Sequence, residues 1–183
     1  MRRVIAQIIG QPGSGKSEVT HHAAQRGFQP VKVSGLIEEY ALPRGIALDT
    51  RQDYLAALQQ MRRELGKTVL SRTITCMLEP RIWVDGLRGP GDVAIVRRQG
   101  PVIALDCPPE IRYERIAPRN RTLDRVTFEQ FVEDELRESE NSDPFAPATA
   151  AVIRSADYQI DASQPLVQVL EEVDAIIEPY LAV

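Results

Sequence analysis

Residues 10–17 of the chain, GQPGSGKS, place three glycines ahead of a lysine and a serine. The stretch matches G-x-x-x-x-G-K-[ST] at every fixed position. Glycines let the backbone curl around an anion with its N–H groups pointing inward, and a helix that starts near Lys16 adds a positive dipole end. We therefore predict a site for Mg²⁺ and ATP, in which Lys16 reaches the β and γ phosphates and the Ser17 hydroxyl binds the metal. The residues predicted to bind the nucleotide are Gly10, Gly13, Ser14, Gly15, Lys16 and Ser17.

Two aspartates end short apolar runs, where a phosphate-binding loop needs a carboxylate to hold Mg²⁺ or its waters. Asp85 ends RIWVD and Asp106 ends VIALD. Asp85 is favoured, because Gly86 lets a ligand approach closely and Arg88 follows in the same turn, ready for a phosphate. Asp106 is interpreted as an ordinary turn former. Asp85 is thus predicted either to order Mg²⁺ with Ser17 or to activate an acceptor hydroxyl.

An arginine-rich segment, RYERIAPRNRTLDR, occupies residues 112–125. Around Pro118 and Asn120 a helix is expected to break into a loop. Guanidinium forks match phosphate oxygens and stabilise charge on a transferring phosphoryl group, so arginines on a mobile loop can close over ATP as a lid. Arg112 and Arg125 are interpreted as surface residues. The arginines predicted to act are Arg119, in catalysis, and Arg115 and Arg121, in nucleotide binding.

The elements that must position these residues alternate between strands and helices. Apolar runs predict strands at 3–10, 29–35, 81–86, 101–107 and 156–163. Helical spacing and end signals predict helices at 17–25, 50–65, 67–78, 127–140 and from 165 onward. Residues 139–151 are interpreted as a loop. The alternation favours one α/β domain over residues 1–183, with a parallel sheet covered on both faces and ligands at the carboxyl ends of its strands.

The amino-acid composition further narrows the class of protein to which the chain can belong. No apolar run approaches the roughly 18 residues of a membrane span, and two isolated cysteines make neither a disulfide framework nor a metal pattern. A cytoplasmic location fits both features. The formal net charge is −4, yet the first 128 residues hold 20 basic and 13 acidic side chains while the last 55 hold 2 and 13. A basic body permits a polyanionic partner, although two solvated surfaces explain the asymmetry as well.

The phosphate-binding loop, DGLR at 85–88, the R-x-x-x-R of the arginine segment and SADYQIDAS at 155–163 together resemble the adenylate-kinase-like P-loop kinases. These include nucleoside monophosphate kinases and dephospho-coenzyme A kinase, and small archaeal kinases resemble the chain most. The resemblance implies a five-stranded parallel sheet flanked by helices, a lid at about 112–125 and a helical acceptor-binding region at about 32–75. It also implies that Arg88 and a lid arginine contact the transferred phosphate.

The chain departs from these kinases after its second strand, where an arginine often grips the acceptor monophosphate. The corresponding stretch is VSGLIEEY, in which Ser34 and Gly35 match and Glu38 or Glu39 replaces the arginine. A carboxylate repels a dianionic phosphate and suits a hydroxyl acceptor. Ser34, Glu38 and Arg88 are predicted to bind the acceptor, although both glutamates could also be plain surface residues.

The acceptor is predicted to be nucleotide-like, and three kinds stay open: a nucleoside monophosphate, a hydroxyl compound such as dephospho-coenzyme A, or a hydroxymethylpyrimidine in DNA, as in some viral kinases. Arg62, Arg63, Arg97 and Arg98 are candidate contacts for a DNA backbone. The alternative is a P-loop NTPase switch that couples ATP or GTP hydrolysis to a partner. Chain length argues against a typical AAA module, and the intact Lys16, Ser17 and Asp85 argue against binding without turnover.

Overall fold

A computed structural model describes residues 3–119, 127–139 and 145–181. It contains a five-stranded sheet in which all pairings are parallel and the spatial order is β2-β3-β1-β4-β5. The strands are β1 Val4–Gly10, β2 Gln29–Lys32, β3 Arg81–Asp85, β4 Val102–Asp106 and β5 Tyr158–Asp161. The predicted fold class, an α/β fold with a five-stranded parallel sheet flanked by helices, is thereby confirmed.

Nine α-helices connect and cover these strands within the described ranges. They are α1 Lys16–Gln25, α2 Val33–Ala41, α3 Arg51–Leu65, α4 Val69–Cys76, α5 Pro90–Val96, α6 Pro109–Ile116, α7 Phe128–Ser139, α8 Thr149–Arg154 and α9 Leu166–Leu181. In the same ranges no helix is both long and apolar enough to cross a membrane.

The central strand β1 is buried along its whole length, because both faces of the sheet carry an apolar core. Ile5 and Ile9 point into one core, which α2, α3, α4 and α5 also line. Ile8 points into the other core, where α1 and α9 pack. Side chains alternate across a strand, so a continuous apolar run is what a sheet covered on both faces requires.

The predicted helix after Thr50 is present as α3. The Thr50 side chain accepts a hydrogen bond from the Asp53 backbone, the Asp53 carboxylate accepts one from the Thr50 backbone, and the helix ends at Gly66. This reciprocal capping fixes where α3 starts. It therefore also fixes where Arg51, in the first turn, is placed.

The sequence prediction was wrong at residues 33–35, which form the start of α2 and not the end of a strand. Strand β2 ends at Lys32, opposite Asp85. The alternation of QPVKV is typical of a strand, but Val33, Leu36, Ile37 and Tyr40 are buried at helical spacing. Helix α8 was also missed, because its first residues lie within the segment 139–151 that was predicted to be a loop.

Candidate functional site

The loop after β1 has the backbone shape that the motif predicts. Gly13 and Gly15 have φ values of 82° and 94°, in the region that glycine tolerates best. A Cβ at Gly13 would lie 2.4 Å from the carbonyl oxygen of Arg112, and one at Gly10 would lie 2.5 Å from Ser14 Oγ. Side chains therefore fit neither position, and the chain closes tightly here before α1 begins.

Lys16 and Ser17 open helix α1 at the rim of this loop. Lys16 Nζ donates to the carbonyl oxygens of Gly10 at 2.8 Å and Gln11 at 2.9 Å. Ser14 Oγ is buried and has no hydrogen-bond partner within residues 3–119, 127–139 and 145–181. The loop thus carries a cation and a buried hydroxyl beside glycine backbone, a set of groups that fits a phosphate chain.

Asp85 ends strand β3, in register with Ile8 of β1 and Lys32 of β2. Burial raises the pKa of its carboxyl group, and Lys16, Lys32, Arg88 and a hydrogen bond from Thr20 partly oppose that rise. A carboxylate at this place has the chemistry of a Mg²⁺ ligand or of a general base. The described residues contain no group of three or more metal-ligating side chains, so a Mg²⁺ ion here would depend on phosphate oxygens for further ligands.

A cleft of about 720 Å³ brings most of the predicted site residues together. Its walls come from the loop, from the end of β3 and the turn after it, from α2 and α3, and from α6 and α7. The predicted residues that line it are Gly13, Gly15, Lys16, Ser17, Ser34, Glu38, Asp85 and Arg88. A cavity of this volume is the size of an ordinary small-molecule site.

Glu38 faces this cleft, whereas Glu39 is exposed and does not line it. The Tyr54 hydroxyl donates to Glu38 Oε1 at 2.6 Å, which ties α3 to α2. This hydrogen bond, together with burial, raises the pKa of Tyr54 and keeps the phenol protonated.

Sequence reasoning missed six polar residues of the same cleft: Lys32, Arg51, Gln52, Tyr54, Asp134 and Glu135. Tyr54 and Leu55 lie three and four residues after Arg51, and Leu58 lies four and three residues after them, so all four share a face of α3. The helical stripe was visible in the sequence. It was interpreted only as one face of a helix, and in the structure the first turn of that helix faces the cleft.

Arg112 was predicted to be a surface residue. That prediction was wrong, because only 5% of Arg112 is exposed. Its guanidinium makes two hydrogen bonds to the Glu135 carboxylate of α7, one of them at 2.8 Å. It also donates to the carbonyl oxygen of Cys107 at 2.8 Å and to that of Pro12 at 3.3 Å. Arg112 thus joins α6 and α7 to the phosphate-binding loop.

The other arginines of the predicted lid are placed less fully. Arg115 Nη1 lies 3.6 Å from Cys107 Sγ, and Arg115 does not line the cleft. Arg119 ends a short 3-10 turn after α6, and Arg121 lies outside the described residues. The roles of these three arginines therefore stay predictions.

One candidate DNA contact is wrong. Arg62 is 3% exposed, and its Nη2 lies 3.0 Å from Asp92 Oδ2, with Nη1 donating to the carbonyl oxygen of Phe145 at 2.9 Å. The guanidinium is committed to a buried ion pair between α3 and α5, so it cannot reach a nucleic-acid backbone.

Comparisons with known proteins agree with this architecture. A family model described as an AAA domain matches residues 7–143. A UPF0200 protein of Hyperthermus butylicus is 33% identical over 165 residues, covering 86% of this chain and 84% of the relative. A UPF0200 protein of Thermococcus gammatolerans is 30% identical over 146 residues, covering 74% and 76%. The AAA match removes chain length as an argument against the switch alternative.

Two solved structures share the fold. A Thermus thermophilus protein superposes with a TM-score of 0.66 at 15% identity, covering 98% of both chains. The shikimate kinase of Acinetobacter baumannii, solved with shikimate, gives 0.58 at 20% identity, covering 97% of this chain and 94% of the kinase. The chain therefore has a P-loop kinase-like fold.

Proposed function

The chain belongs to the UPF0200 family and to the AAA domain family, and we propose that it is a kinase that transfers the γ-phosphate of ATP to a hydroxyl group of a small, nucleotide-like acceptor. One observation carries the proposal. Lys16, Asp85 and Arg88 line the same cleft as Ser34 and Glu38, so donor and acceptor residues share one space. Kinases among proteins of the same fold support the same reaction class.

On the donor side, the backbone of residues 10–15 and the Lys16 ammonium bind the phosphate chain. Lys16 exchanges its bonds to Gly10 and Gln11 for phosphate oxygens. Ser17 and Asp85 would hold Mg²⁺, which would supply positive charge that neutralises the phosphate oxygens. The restricted backbone at Gly13 and the buried Ser14 hydroxyl fit this assignment.

On the acceptor side, Ser34 orients the hydroxyl and the Glu38 carboxylate accepts its proton. The acceptor oxygen then bonds to the γ phosphorus while the bond from that phosphorus to the bridging oxygen of ADP breaks. Lys16 and Arg88 stabilise the charge that spreads over the transferring group. Positioning and charge stabilisation supply most of the catalysis, as in other phosphoryl transfers.

Incubation with γ-labelled ATP and an acceptor panel tests the proposal. The panel contains nucleosides, nucleoside monophosphates, dephospho-coenzyme A and hydroxymethylated DNA. Label on any acceptor supports the kinase. Free phosphate alone, released at a rate that no acceptor changes, would sink it in favour of an NTPase switch.

Lys16→Ala and Arg72→Gln form the control pair for this assay. Lys16 lines the cleft, whereas Arg72 is exposed on α4, and each change removes one positive charge. Labelling should disappear in the first variant and persist in the second. Labelling that survives Lys16→Ala would reject the loop as the donor site.

A further inference from the structure

The wall of the cleft built by α2 and α3 is largely apolar. Val33 and Ile37 of α2 and Leu55 and Leu58 of α3 all line it. The two sets lie at helical spacing, so each helix presents one apolar strip to the cleft. Such a wall packs against the carbon body of an acceptor and excludes water from it.

Cations border this apolar wall. Arg51 lies in the first turn of α3, Arg88 lies in the turn after β3, and Lys32 ends β2. All three line the cleft, and both arginines are half-buried. Guanidinium forks bind carboxylate or phosphate through two parallel hydrogen bonds, and partial burial strengthens the pairing.

Glu38 adds a negatively charged carboxylate to the same wall. Its carboxylate accepts from Tyr54 at 2.6 Å and faces the cleft. A negative group on the acceptor is repelled from Glu38, while a hydroxyl donor is attracted. Arg51 lies one helical turn before Tyr54, which bonds to Glu38, so an attractive site for an anion on α3 adjoins a repulsive one on α2.

We infer that the acceptor carries an anionic group, a carboxylate or a phosphate, and that Arg51 binds it. The inference rests on the proposed kinase function and names its substrate class. Arg51 supplies from α3 the cation that the sequence lacks at Glu38. The acceptor is a small molecule with an anionic end, an apolar body along the leucines and a hydroxyl donor near Glu38.

Matched pairs of probes that differ only in the anionic group test this inference. Nucleoside 5′-monophosphates are compared with their nucleosides, and hydroxy carboxylic acids with their methyl esters. Binding is measured by calorimetry on protein loaded with Mg²⁺ and a non-hydrolysable ATP analogue, and transfer is measured with labelled ATP. The variants are Arg51→Gln and, as the control, Arg72→Gln at an exposed position of α4.

We expect at least one anionic probe to bind about tenfold or more tightly than its neutral partner, as a charge-assisted hydrogen bond predicts. Arg51→Gln should erase that preference, and Arg72→Gln should keep it. A preference for nucleoside monophosphates over nucleosides identifies the anionic group as a phosphate. A preference for hydroxy acids over their methyl esters identifies it as a carboxylate. If no anionic probe binds better than its neutral partner, or if Arg51→Gln keeps the preference, the inference is overturned. Anion-selective binding without transfer would instead count against the kinase alone.

Discussion

Asp85 supplies the half-buried carboxyl group of the proposed donor site. Its carboxyl group has a raised pKa because burial disfavours the charged form more than Lys16, Lys32 and Arg88 favour it. When the pKa of a carboxyl group is higher in the folded protein than in the unfolded protein, the folded state binds more protons at pH values between the two pKa values. Stability therefore falls as pH rises through that window, and it stays lower above it.

Asp85→Asn should consequently stabilise the protein at neutral pH while it abolishes phosphoryl transfer. A gain of about 1 kcal/mol would raise the melting temperature by about 2–4 °C in a chain of this size. Thermal melts at pH 7.5 and at a pH below the ordinary aspartate value measure it, and the gain should vanish at the lower pH. If the melting temperature of the variant at pH 7.5 is equal or lower, the nearby cations favour the charged form of Asp85 more than burial disfavours it.

The residues of the proposed donor site could be named from the sequence, and those of the proposed acceptor site only in part. Gly10 to Ser17 are contiguous, so their spacing alone specifies the loop. Arg51 and Tyr54 lie far along the chain from that loop, and they reach the cleft only because α3 packs beside α2. No local pattern encodes that packing.

Arg112 links two helices and a loop through one guanidinium. Its side chain is 6% exposed and that of Glu135 is 15% exposed. Removing one partner from a buried pair leaves the other charge without compensation, which costs about 3–5 kcal/mol. Arg26, directly after α1, and Glu178 of α9 form a contrasting exposed pair, with 38% and 64% of their side chains exposed.

We expect Arg112→Met to lower the free energy of unfolding by about 3 kcal/mol or more, and Arg26→Met by about 1 kcal/mol or less. Urea denaturation measures both changes. Adding Glu135→Leu to Arg112→Met should recover part of the loss, because no unpaired carboxylate then stays buried. Strict additivity of the two changes would show that Arg112 and Glu135 are not coupled.

The strands and the longer helices could be predicted because each carries one dominant pattern over many residues. Strand β1 is an unbroken apolar run, and α3 combines a helical stripe with a capping box. Helix α2 was missed because Val31 and Val33 alternate as strand residues do. Only the later residues Leu36, Ile37 and Tyr40 distinguish a helix, and their effect depends on the core that they bury in.

At the scale of the whole molecule, three basic residues of the first 128 positions are paired with carboxylates in the part of the chain that the structure describes. Arg62 is buried against Asp92, Arg97 pairs with Asp157 at 3.2 Å, and Arg112 is buried against Glu135. Acidic partners from neighbouring elements neutralise these three arginines. The charge asymmetry of the sequence is therefore a weaker argument for a polyanionic partner than the charges that line the cleft.

The phosphate-binding loop lies at the carboxyl end of β1, which both cores enclose. A ligand that binds only the folded loop should therefore stabilise the entire fold. At a concentration 100 times its dissociation constant, such a ligand adds about 2.7 kcal/mol, which corresponds to a rise in melting temperature of about 5–11 °C. We expect Mg²⁺ with a non-hydrolysable ATP analogue to give this rise. Arg72→Gln should keep it and Lys16→Ala should lose it. A rise of equal size in Lys16→Ala would move the nucleotide site away from this loop.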